Sequence, residues 1–394
     1  MNKVLFLASW YPSKVDLFDG DFIERHAKAA SLFNRVFVVY VVKDSSIKDG
    51  RITVNKQISG NLISYQGYYP YSKSKQKWIE KIHSNFWMVR LQKRIFTKIV
   101  EEYGMPNVIH LNVLMKAGLF AWRLHKKYKL PYVLSENWTG YYPEKKDGFR
   151  QQSFLYKKLS KIVYRNCDLP LPVTQDLGKR MNQLFGIEKT FKVVPNVVDT
   201  HLFYPDFKNK NVKKRLFHIS TLGYHKNIFG ILNAVEKLYE KRKDFELYVA
   251  GNASEEIVKW TKDKGLFETC IFFTGVISYE EVADKFRQSD ALVMFSRYEN
   301  LPCVILEALC SGLPVISTDV GGIREIINEE NGILIPSENE NELLNAIDYL
   351  LDNLGKYNKE KIASSAQKKF NYEVVGKQFD EAYKEVISKK KNQD

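Results

Sequence analysis

Short apolar segments alternate with longer amphipathic segments along the whole chain. The first half predicts strands at Val4–Ser9, Val36–Val42, Val108–His110, Tyr132–Ser135, Leu169–Val173 and Phe191–Val194. The second half predicts strands at Leu216–Ile219, Leu247–Ala250, Ile271–Phe273, Ala291–Met294 and Val315–Ser317. The segments between them predict helices, notably Phe22–Leu32, Trp87–Glu102, Lys116–Tyr128 and Asp176–Phe185. Strands that alternate with helices are typical of parallel α/β layers.

The alternation predicts two successive doubly wound domains. The break between them falls near Leu202–Lys214, a polar and basic segment that contains Pro205. We therefore expect an N-terminal domain over residues 1–203 and a C-terminal domain over residues 204–371. The last segment, residues 372–394, predicts a helix with one apolar face, formed by Val375, Phe379, Ala382, Tyr383 and Val386.

Charge is divided unevenly between the two halves. Residues 1–200 carry 33 lysines and arginines against 16 acidic residues, a net charge of +17, whereas residues 201–394 carry 27 against 30, a net charge of −3. This asymmetry favours a polyanion or a membrane surface as a partner of the first half. The chain is 44% hydrophobic, which is enough for a sizeable core and excludes a disordered protein.

The excess of positive charge is densest in residues 51–100. This stretch holds ten lysines and arginines and one acidic residue, Glu80, and aromatic residues lie among them, including Tyr68, Tyr69, Tyr71, Trp78, Phe86 and Trp87. Basic residues beside aromatic ones suit attachment to an anionic membrane face. A nucleic-acid patch or a plain solvated helix has a similar composition, but no nucleic-acid motif is recognised. We expect a membrane surface and no nucleic acid as partners.

The cysteines and the N-terminus bear on the compartment. The four cysteines, Cys167, Cys270, Cys303 and Cys310, show no metal-type pairing, so we expect reduced thiols in the core. The apolar start of the chain lasts only seven residues before Tyr11-Pro12, too short for a signal peptide or a membrane span. We expect a cytoplasmic protein that is peripheral on the inner face of the membrane.

Residues 297–322, RYENLPCVILEALCSGLPVISTDVGG, carry the most chemical information. Seven residues separate Glu299 from Glu307, and Pro302 suits the first turn of a helix. Glu299 would lie in the loop before that helix, Glu307 inside it, and the amides of residues 300–304 would face an anion. Two carboxylates around a helix start suit a nucleotide sugar. The alternative is a buried α/β helix with two solvated glutamates.

This segment resembles the donor-site motif of the retaining family 4, or group 1, glycosyltransferases, which have the GT-B fold. Glu299, Pro302, Leu306-Glu307-Ala308 and Gly312-Leu313-Pro314-Val315 match that motif, and Asn300-Leu301 replaces its glycine-rich turn. Val320-Gly321-Gly322 and residues 331–336 also match. The resemblance implies two Rossmann-like domains that face a central cleft, with a C-terminal helix crossing back to the first domain.

The resemblance also implies the donor-site residues. Glu299 and Lys226 are the expected catalytic pair, since Lys226 in the loop Thr221–Asn227 matches the family's diphosphate-binding lysine. By itself a loop lysine is more often solvated. Gly20 matches the glycine of the family's first loop, where the backbone approaches the donor phosphate. The other expected donor-binding residues are Glu307, Asn300, Leu301, Gly251 and Val276.

On the acceptor side the resemblance implies His110, Asn112, Glu136 and Trp138. The family often has His-x-His where this chain has His110-Leu111-Asn112. Asn112 can donate to a sugar hydroxyl but cannot titrate near neutral pH. A packed strand-end histidine is an equally good interpretation of His110. Trp138 offers a stacking face for a sugar ring.

Asp19 and Asp21 form an Asp-x-Asp motif, which could hold a divalent metal ion. We reject this interpretation, because that metal motif belongs to the other main glycosyltransferase fold and lies mid-chain there. The helix that follows also gives Asp21 an ordinary N-cap role. We therefore expect no metal and no cofactor, with a nucleoside-diphosphate sugar as substrate.

The sequence as a whole predicts a retaining glycosyltransferase, with hexosyl transfer expected. It would move a sugar from a nucleoside diphosphate to a glycan or lipid-linked saccharide in cell-surface polysaccharide synthesis. A nucleotide-sugar 2-epimerase also has two similar domains, but the two-glutamate motif speaks against it. A non-catalytic relative that only binds a nucleotide sugar or a membrane stays open, because of Asn112, Thr221 and Asn300-Leu301.

Overall fold

A computed structural model of the protein describes residues 1–47, 51–72, 74, 76–207 and 212–392. Within these residues the first sheet has seven strands, ordered β3-β4-β2-β1-β5-β6-β7. All neighbours are parallel except the antiparallel pair β3 and β4. The strands are β1 (Lys3–Ala8), β2 (Arg35–Lys43), β3 (Thr53–Ser59), β4 (Leu62–Tyr69), β5 (Val108–Asn112), β6 (Tyr132–Glu136) and β7 (Leu169–Pro172).

The second sheet comes from the later part of the chain and is parallel throughout. Its six strands within the described residues are ordered β10-β9-β8-β11-β12-β13. They are β8 (Lys214–Ile219), β9 (Phe245–Ala250), β10 (Ile271–Gly275), β11 (Ala291–Val293), β12 (Val315–Thr318) and β13 (Gly332–Ile335). This is the expected doubly wound α/β architecture, formed twice.

Helices cover the faces of both sheets. Those of the first part are α1 (Asp21–Ser31), α2 (Lys77–Tyr103), α3 (Gly118–Tyr128), α4 (Phe154–Asn166) and α5 (Gln175–Phe185). Those of the second part are α6 (Ile228–Lys241), α7 (Glu255–Asp263), α8 (Tyr279–Arg287), α9 (Cys303–Cys310), α10 (Glu340–Asp352), α11 (Lys359–Phe370) and α12 (Tyr372–Lys391). Because helices lie on both faces, central strands such as β1 are apolar at successive positions.

The C-terminal helix α12 packs back on the first part of the chain, against α1, β5 and β6. Its five predicted face residues, Val375, Phe379, Ala382, Tyr383 and Val386, are all buried. Gly376 allows the close crossing, since a Cβ there would lie 2.3 Å from the carbonyl oxygen of Ala29. Within the described residues, every helix is too short or too polar to cross a bilayer.

The structure corrects one predicted strand. The segment Phe191–Val194 lies beside β7 but is not a strand. The amides of Lys192 and Val194 each donate to β7, at 3.1 Å to the carbonyls of Pro170 and Pro172. Proline has no N–H with which to return those bonds, so the ladder stays incomplete.

The sequence prediction also missed elements in the basic stretch and shifted two helix starts. Strands β3 and β4 form a hairpin that the charge-rich composition concealed, and α2 begins ten residues before the predicted Trp87. Pro302 is the N-cap of α9 rather than a residue of its first turn. Likewise Gly20 is the N-cap of α1, and Asp21 is its first helical residue.

The four cysteines are free thiols, and Cys167, Cys270 and Cys310 are buried as expected.

Candidate active site

Several candidate site residues lie where the strand order of each sheet reverses. In the first sheet β1 lies between β2 and β5, and in the second sheet β8 lies between β9 and β11. The loops after β1 and β8 therefore leave their sheets at topological switch points, where open α/β sheets bind ligands. Gly20 follows β1, and Lys226 follows β8. Gly251 and Val276 come directly after β9 and β10 along the same edge.

Lys226 and Glu299, the two expected catalytic residues, form an ion pair. Lys226 ends a short 3-10 turn after β8, and Glu299 lies in the loop between β11 and α9. Ser296 Oγ donates a hydrogen bond to Glu299 Oε1 at 3.1 Å. The two side chains are only 13% and 8% exposed, so both charges are largely removed from water. Such a buried pair is stable only because each charge neutralises the other.

Glu307 lies in the second turn of α9 and is also buried. Its Oε1 accepts a hydrogen bond from Arg25 Nη1 at 2.7 Å and one from Tyr279 Oη at 3.1 Å. Arg25 belongs to α1 and pairs with Asp21 through Nη2 at 3.0 Å. Burial raises the pKa of Glu307, and the Arg25 guanidinium opposes that rise. The Glu307 carboxylate is therefore held by residues from both parts of the chain, Arg25 on α1 and Tyr279 on α8.

A cavity of about 590 Å³ lies between α1 and the second part of the chain. Glu307 lines it, as do Arg25, Ile277, Tyr279, Val304 and Tyr372. Val276, an expected donor residue, precedes this wall and has an exposed side chain. The cavity joins polar groups to an apolar wall, which is the usual composition of a small-molecule site.

Sequence reasoning missed Arg25 and Tyr279. Arg25 lies on the buried side of α1, between Ile23 and Ala27, which is unusual for an arginine without a partner. An arginine at a predicted buried position was therefore the feature of the sequence that could have indicated a functional role for Arg25. The partner could not be read from the sequence, because 282 residues separate Arg25 from Glu307.

The segment Asn300-Leu301 bridges the two parts of the chain. Asn300 Oδ1 accepts hydrogen bonds from Thr174 Oγ1 at 3.1 Å and from Tyr142 Oη at 3.4 Å. Its Nδ2 donates to the Asn137 carbonyl at 3.2 Å. The Leu301 carbonyl accepts from Asn196 Nδ2 at 3.0 Å. In place of a glycine-rich turn, this chain has a buried asparagine whose side chain binds the first domain.

Gly20 and Gly251 are positions that only glycine fits. Gly20 has φ 71°, and a Cβ there would lie 2.6 Å from the carbonyl carbon of Trp10. Gly251 has φ 136°, and a Cβ there would lie 2.2 Å from the Ser220 carbonyl oxygen. Both glycines thus permit tight loops at the edge of a sheet. Contact with a donor at either position stays a prediction.

On the acceptor side, the structure places His110 and Glu136 in the interior rather than in the cleft. His110 Nδ1 lies 2.6 Å from Tyr383 Oη on α12, and Nε2 lies 2.7 Å from Ser135 Oγ. Of the two interpretations of His110, an acceptor-side residue or a packed strand-end histidine, these contacts favour the second. Glu136 accepts four hydrogen bonds, from the amides of Leu114, Asn137 and Trp138 and from Tyr141 Oη. Its carboxylate is therefore occupied in shaping the loops after β5 and β6.

Asn112 and the loop after it have the features of a binding position. Asn112 is buried at the end of β5, and within the described residues neither atom of its amide has a hydrogen-bond partner. Val113 and Lys116, in the following loop, have φ values of 63° and 77°. A positive φ is costly for a β-branched residue, and such strain concentrates at functional sites. Trp138 is half-buried, with its ring 5.1 Å from that of Tyr141.

Asp19 and Asp21 are used separately. Asp19 accepts a hydrogen bond from Tyr40 Oη at 3.0 Å, and burial raises its pKa. Asp21 pairs with Arg25, as described above. Each carboxylate therefore has its own protein partner.

Two α/β units built on mainly parallel sheets, a C-terminal helix that packs back on the first unit and a cavity between the units define the GT-B fold. Sucrose-phosphate synthase from Thermosynechococcus elongatus superposes with a TM-score of 0.76, covering 98% of this chain and 100% of that chain. Anabaena HepE, solved in complex with UDP, superposes with a TM-score of 0.70 and the same coverage. Both are 16% identical in sequence, so this likeness shows the fold alone.

Sequence comparison defines the family. The model of glycosyl transferases group 1 matches residues 204–390, and the model of glycosyltransferase family 4 matches residues 68–202. The Bacillus subtilis (strain 168) glycosyltransferase TuaC, assigned to teichuronic acid biosynthesis, is 23% identical over 402 residues, which cover 96% of this chain and 95% of TuaC. The chain belongs to the group 1, family 4 glycosyltransferases, and it is a transferase enzyme.

Proposed function

We propose that this glycosyltransferase moves a hexosyl group, with retention of configuration, from a nucleoside-diphosphate sugar to a saccharide acceptor in cell-surface polysaccharide synthesis. The observation that carries the proposal is the placement of Glu299 and Glu307 on either side of the start of α9, with Lys226 against Glu299. The assignment of TuaC to teichuronic acid synthesis supports the polysaccharide role. HepE, which has the same fold, was solved with UDP and glucose, which supports a nucleotide-sugar donor.

The donor would bind with its nucleotide on the second domain. Glu307 would accept hydrogen bonds from the ribose hydroxyls, because it is a carboxylate on the wall of the interdomain cavity. Lys226 and the N-terminus of α9 would oppose the charge of the diphosphate. Glu299 would accept a hydrogen bond from the transferred sugar. The ion pair between Lys226 and Glu299 supports this division, since a sugar diphosphate needs a cation and an acceptor side by side.

Retention would follow from attack on the face that the diphosphate leaves. The bond from the anomeric carbon to the diphosphate oxygen breaks, and a bond to the acceptor oxygen forms on the same face. The acceptor's proton passes to the departing diphosphate oxygen, so no strong protein base is required. The burial of His110 and Glu136 fits this scheme, because neither is free to act as a base. The work of the protein is then positioning and charge stabilisation, without a metal ion.

The acceptor would be a glycan or a lipid-linked saccharide met at the inner face of the membrane. On α2 the side chains of Trp78, Ile82 and Phe86 recur every four residues and are 63%, 61% and 55% exposed. Farther along α2 an open groove is lined by the basic residues Arg90, Lys93, Arg94 and Lys98, together with Glu101 and Glu102. An apolar stripe followed by a basic surface suits a helix that lies on an anionic bilayer. Lys73 and Lys75, which also belong to the basic stretch, lie outside the described residues.

The acceptor position would include Asn112. Its amide can both donate to and accept from sugar hydroxyls, and binding would satisfy a buried group that has no partner within the described chain. Trp138, near the same edge, would contribute an apolar ring face.

Incubation of the purified protein with a panel of nucleotide sugars tests the proposal. The panel contains the uridine, guanosine, adenosine and thymidine diphosphate sugars, and thermal shift first selects the donor. Slow release of the nucleoside diphosphate, with the released or transferred sugar keeping its anomeric configuration by NMR, is the expected result. An epimerised nucleotide sugar would identify the epimerase, and binding without turnover would identify a non-catalytic relative.

A further inference from the structure

Arg25 and Glu307 form a buried ion pair between two elements that belong to different sheets. Arg25 lies on α1, directly after the switch-point loop of the first sheet, and Glu307 lies on α9 of the second. Their side chains are 6% and 4% exposed, and Nη1 lies 2.7 Å from Oε1. A pair this deeply buried costs desolvation that a surface pair avoids, so its position needs an explanation.

The hydrogen bonds to Glu307 are arranged asymmetrically. Arg25 Nη1 and Tyr279 Oη both donate to Oε1, and within the described residues no side chain or amide donates to Oε2. Asp21 fixes the other end of the guanidinium through Nη2. A carboxylate held by one oxygen in this way offers its second oxygen to a ligand. The cavity of about 590 Å³ adjoins the same side chain.

We infer that Arg25 is a positioning residue of the nucleotide site, supplied by the opposite domain. It orients the Glu307 carboxylate so that Oε2 meets the ribose hydroxyls, and nucleotide affinity therefore depends on a closed cleft. The inference rests on the proposed function, because it takes Glu307 as the ribose-binding carboxylate. It adds that half of this subsite comes from α1, which carries no other residue assigned to the donor.

The arrangement also makes a prediction about pH. Burial raises the pKa of Glu307, and Arg25 is the cation in contact with it. Without Arg25 the carboxyl group would hold its proton at higher pH, and a protonated acid is a poorer acceptor for ribose hydroxyls. The other titratable or charged groups that line this cavity are Asp21, Glu24 and Lys28 on α1, Tyr279 and Glu280 on α8, Cys303 on α9, and Asp199 and Tyr372.

Calorimetric titration of Arg25→Ala, with the wild type beside it, tests the inference. The probe is whichever of uridine, guanosine, adenosine and thymidine diphosphate stabilises the wild-type protein most. We expect the variant to bind at least about tenfold more weakly, and the ratio of variant to wild-type dissociation constants to grow as pH falls from about 8 to about 6. Using the ratio cancels the protonation of the probe itself.

Further variants separate positioning from simple loss of structure. Arg25→Lys keeps the charge and should recover part of the affinity. Glu307→Gln removes the titrating group, so adding Arg25→Ala to it should leave the ratio independent of pH. Arg35→Ala is the matched control, because Arg35 lies at the amino end of β2, opposite the loop that follows β1, and stacks on Tyr103. It should change affinity by less than about twofold. Arg25→Gln replaces Arg25→Ala if the alanine variant does not fold.

The outcomes distinguish this inference from the proposed function. If Glu307→Ala loses affinity while Arg25→Ala binds as the wild type does at every pH, Arg25 has no part in the site and the inference is overturned alone. A pH-independent loss in Arg25→Ala, with no recovery in Arg25→Lys, would also overturn it, because that is the behaviour of a structural residue. If Glu307→Ala binds normally, or no nucleotide binds the wild type, both fail.

Discussion

At the scale of single residues, the candidate site contains two buried carboxylates that each pair with a cation. Glu299 pairs with Lys226 of the same domain, whereas Glu307 pairs with Arg25 of the other. Removing one member of a buried pair leaves the other charge unpaired and costs more than the pair contributed. Substitutions here therefore affect stability as well as binding, and each needs a variant that conserves the charge.

Lys226→Ala is predicted to weaken binding of the nucleoside diphosphate by about 1.5–3 kcal/mol, because it removes a charge-assisted contact. This is roughly a 10- to 150-fold change in dissociation constant, measurable by titration calorimetry. Lys226→Arg keeps the charge and should lose less. Affinity equal to that of the wild type in the folded alanine variant would mean that the diphosphate binds elsewhere.

Glu307→Ala is predicted to cost a similar amount, about 1.5–3 kcal/mol, through lost hydrogen bonds to the ribose. The binding of the nucleoside should be measured beside the binding of free pyrophosphate. A ribose contact predicts that only the nucleoside-containing ligand loses affinity, whereas a loss for pyrophosphate as well would contradict the assignment.

Turnover is predicted to survive chelation, because Lys226 and the start of α9 are expected to meet the diphosphate charge. Asp19 and Asp21 each have a protein partner, Tyr40 and Arg25. An assay with and without EDTA provides the measurement. Loss of activity that manganese or magnesium restores would revive the Asp-x-Asp interpretation.

The sequence predicted correctly where Glu299, Glu307 and Lys226 lie relative to the strands and helices, because local chain geometry sets those positions. Glu299 and Lys226 lie in loops that follow strands, and Glu307 lies within a helix, so their places follow from the alternation of elements. The sequence could not show whether a strand-end side chain faces a cleft or the interior, so it left the burial of His110 and Glu136 open. Arg25 was missed because its partner is remote in sequence.

At the scale of elements, periodicity predicted most of the buried strands, although not the fully buried β4, and it predicted the helix α12, since apolar patterns directly reflect burial. It failed where another constraint decides the backbone. Pro170 and Pro172 prevent the segment Phe191–Val194 from completing a strand, and the exposed face of β3 lacks the apolar signal. The length and type of a secondary-structure element are therefore more predictable at the centre of a sheet than at its edge.

Gly376→Ala is predicted to destabilise the protein by about 1–3 kcal/mol, because its Cβ would overlap the backbone of α1 where α12 crosses it. Thermal unfolding gives the measurement. Gly355→Ala is the matched control, since a Cβ at Gly355 would meet nothing within 4 Å. Equal melting temperatures for the two variants would show that the crossing of α12 over α1 adjusts without cost.

At the scale of the whole molecule, the alternation of elements predicted two α/β units, and the family resemblance implied the cleft that they face, but neither gave the contacts between them. The contacts between them join residues far apart in the chain, such as Asn300 with Tyr142 and Thr174. Local patterns contain no information about such pairs. The uneven charge, by contrast, is a property of the whole chain that composition alone reveals, and α2 carries part of it in Arg90, Lys93, Arg94 and Lys98.

The exposed basic side chains of α2 predict attachment to an anionic bilayer. Anionic vesicles should bind the protein, and binding should weaken strongly as salt rises, because charges on an exposed helix are screened. Each basic residue near such a bilayer contributes about 1 kcal/mol, so reversing Arg90, Lys93 and Arg94 to glutamate should lower affinity by roughly 100-fold or more. Reversal of the exposed Lys237, Lys241 and Lys259, in the second domain, changes net charge equally and is the matched control.

Co-sedimentation with neutral and anionic vesicles at low and high salt distinguishes the possible partners. If the α2 surface binds lipid, Trp78→Ser with Phe86→Ser should reduce the binding that persists at high salt, since the exposed stripe would enter the bilayer interface. An acidic soluble glycan in the same groove would be displaced by salt alone and would not depend on those two side chains. Equal recovery with neutral and anionic vesicles would remove the membrane partner, while the donor-site argument, which rests on other residues, would stand.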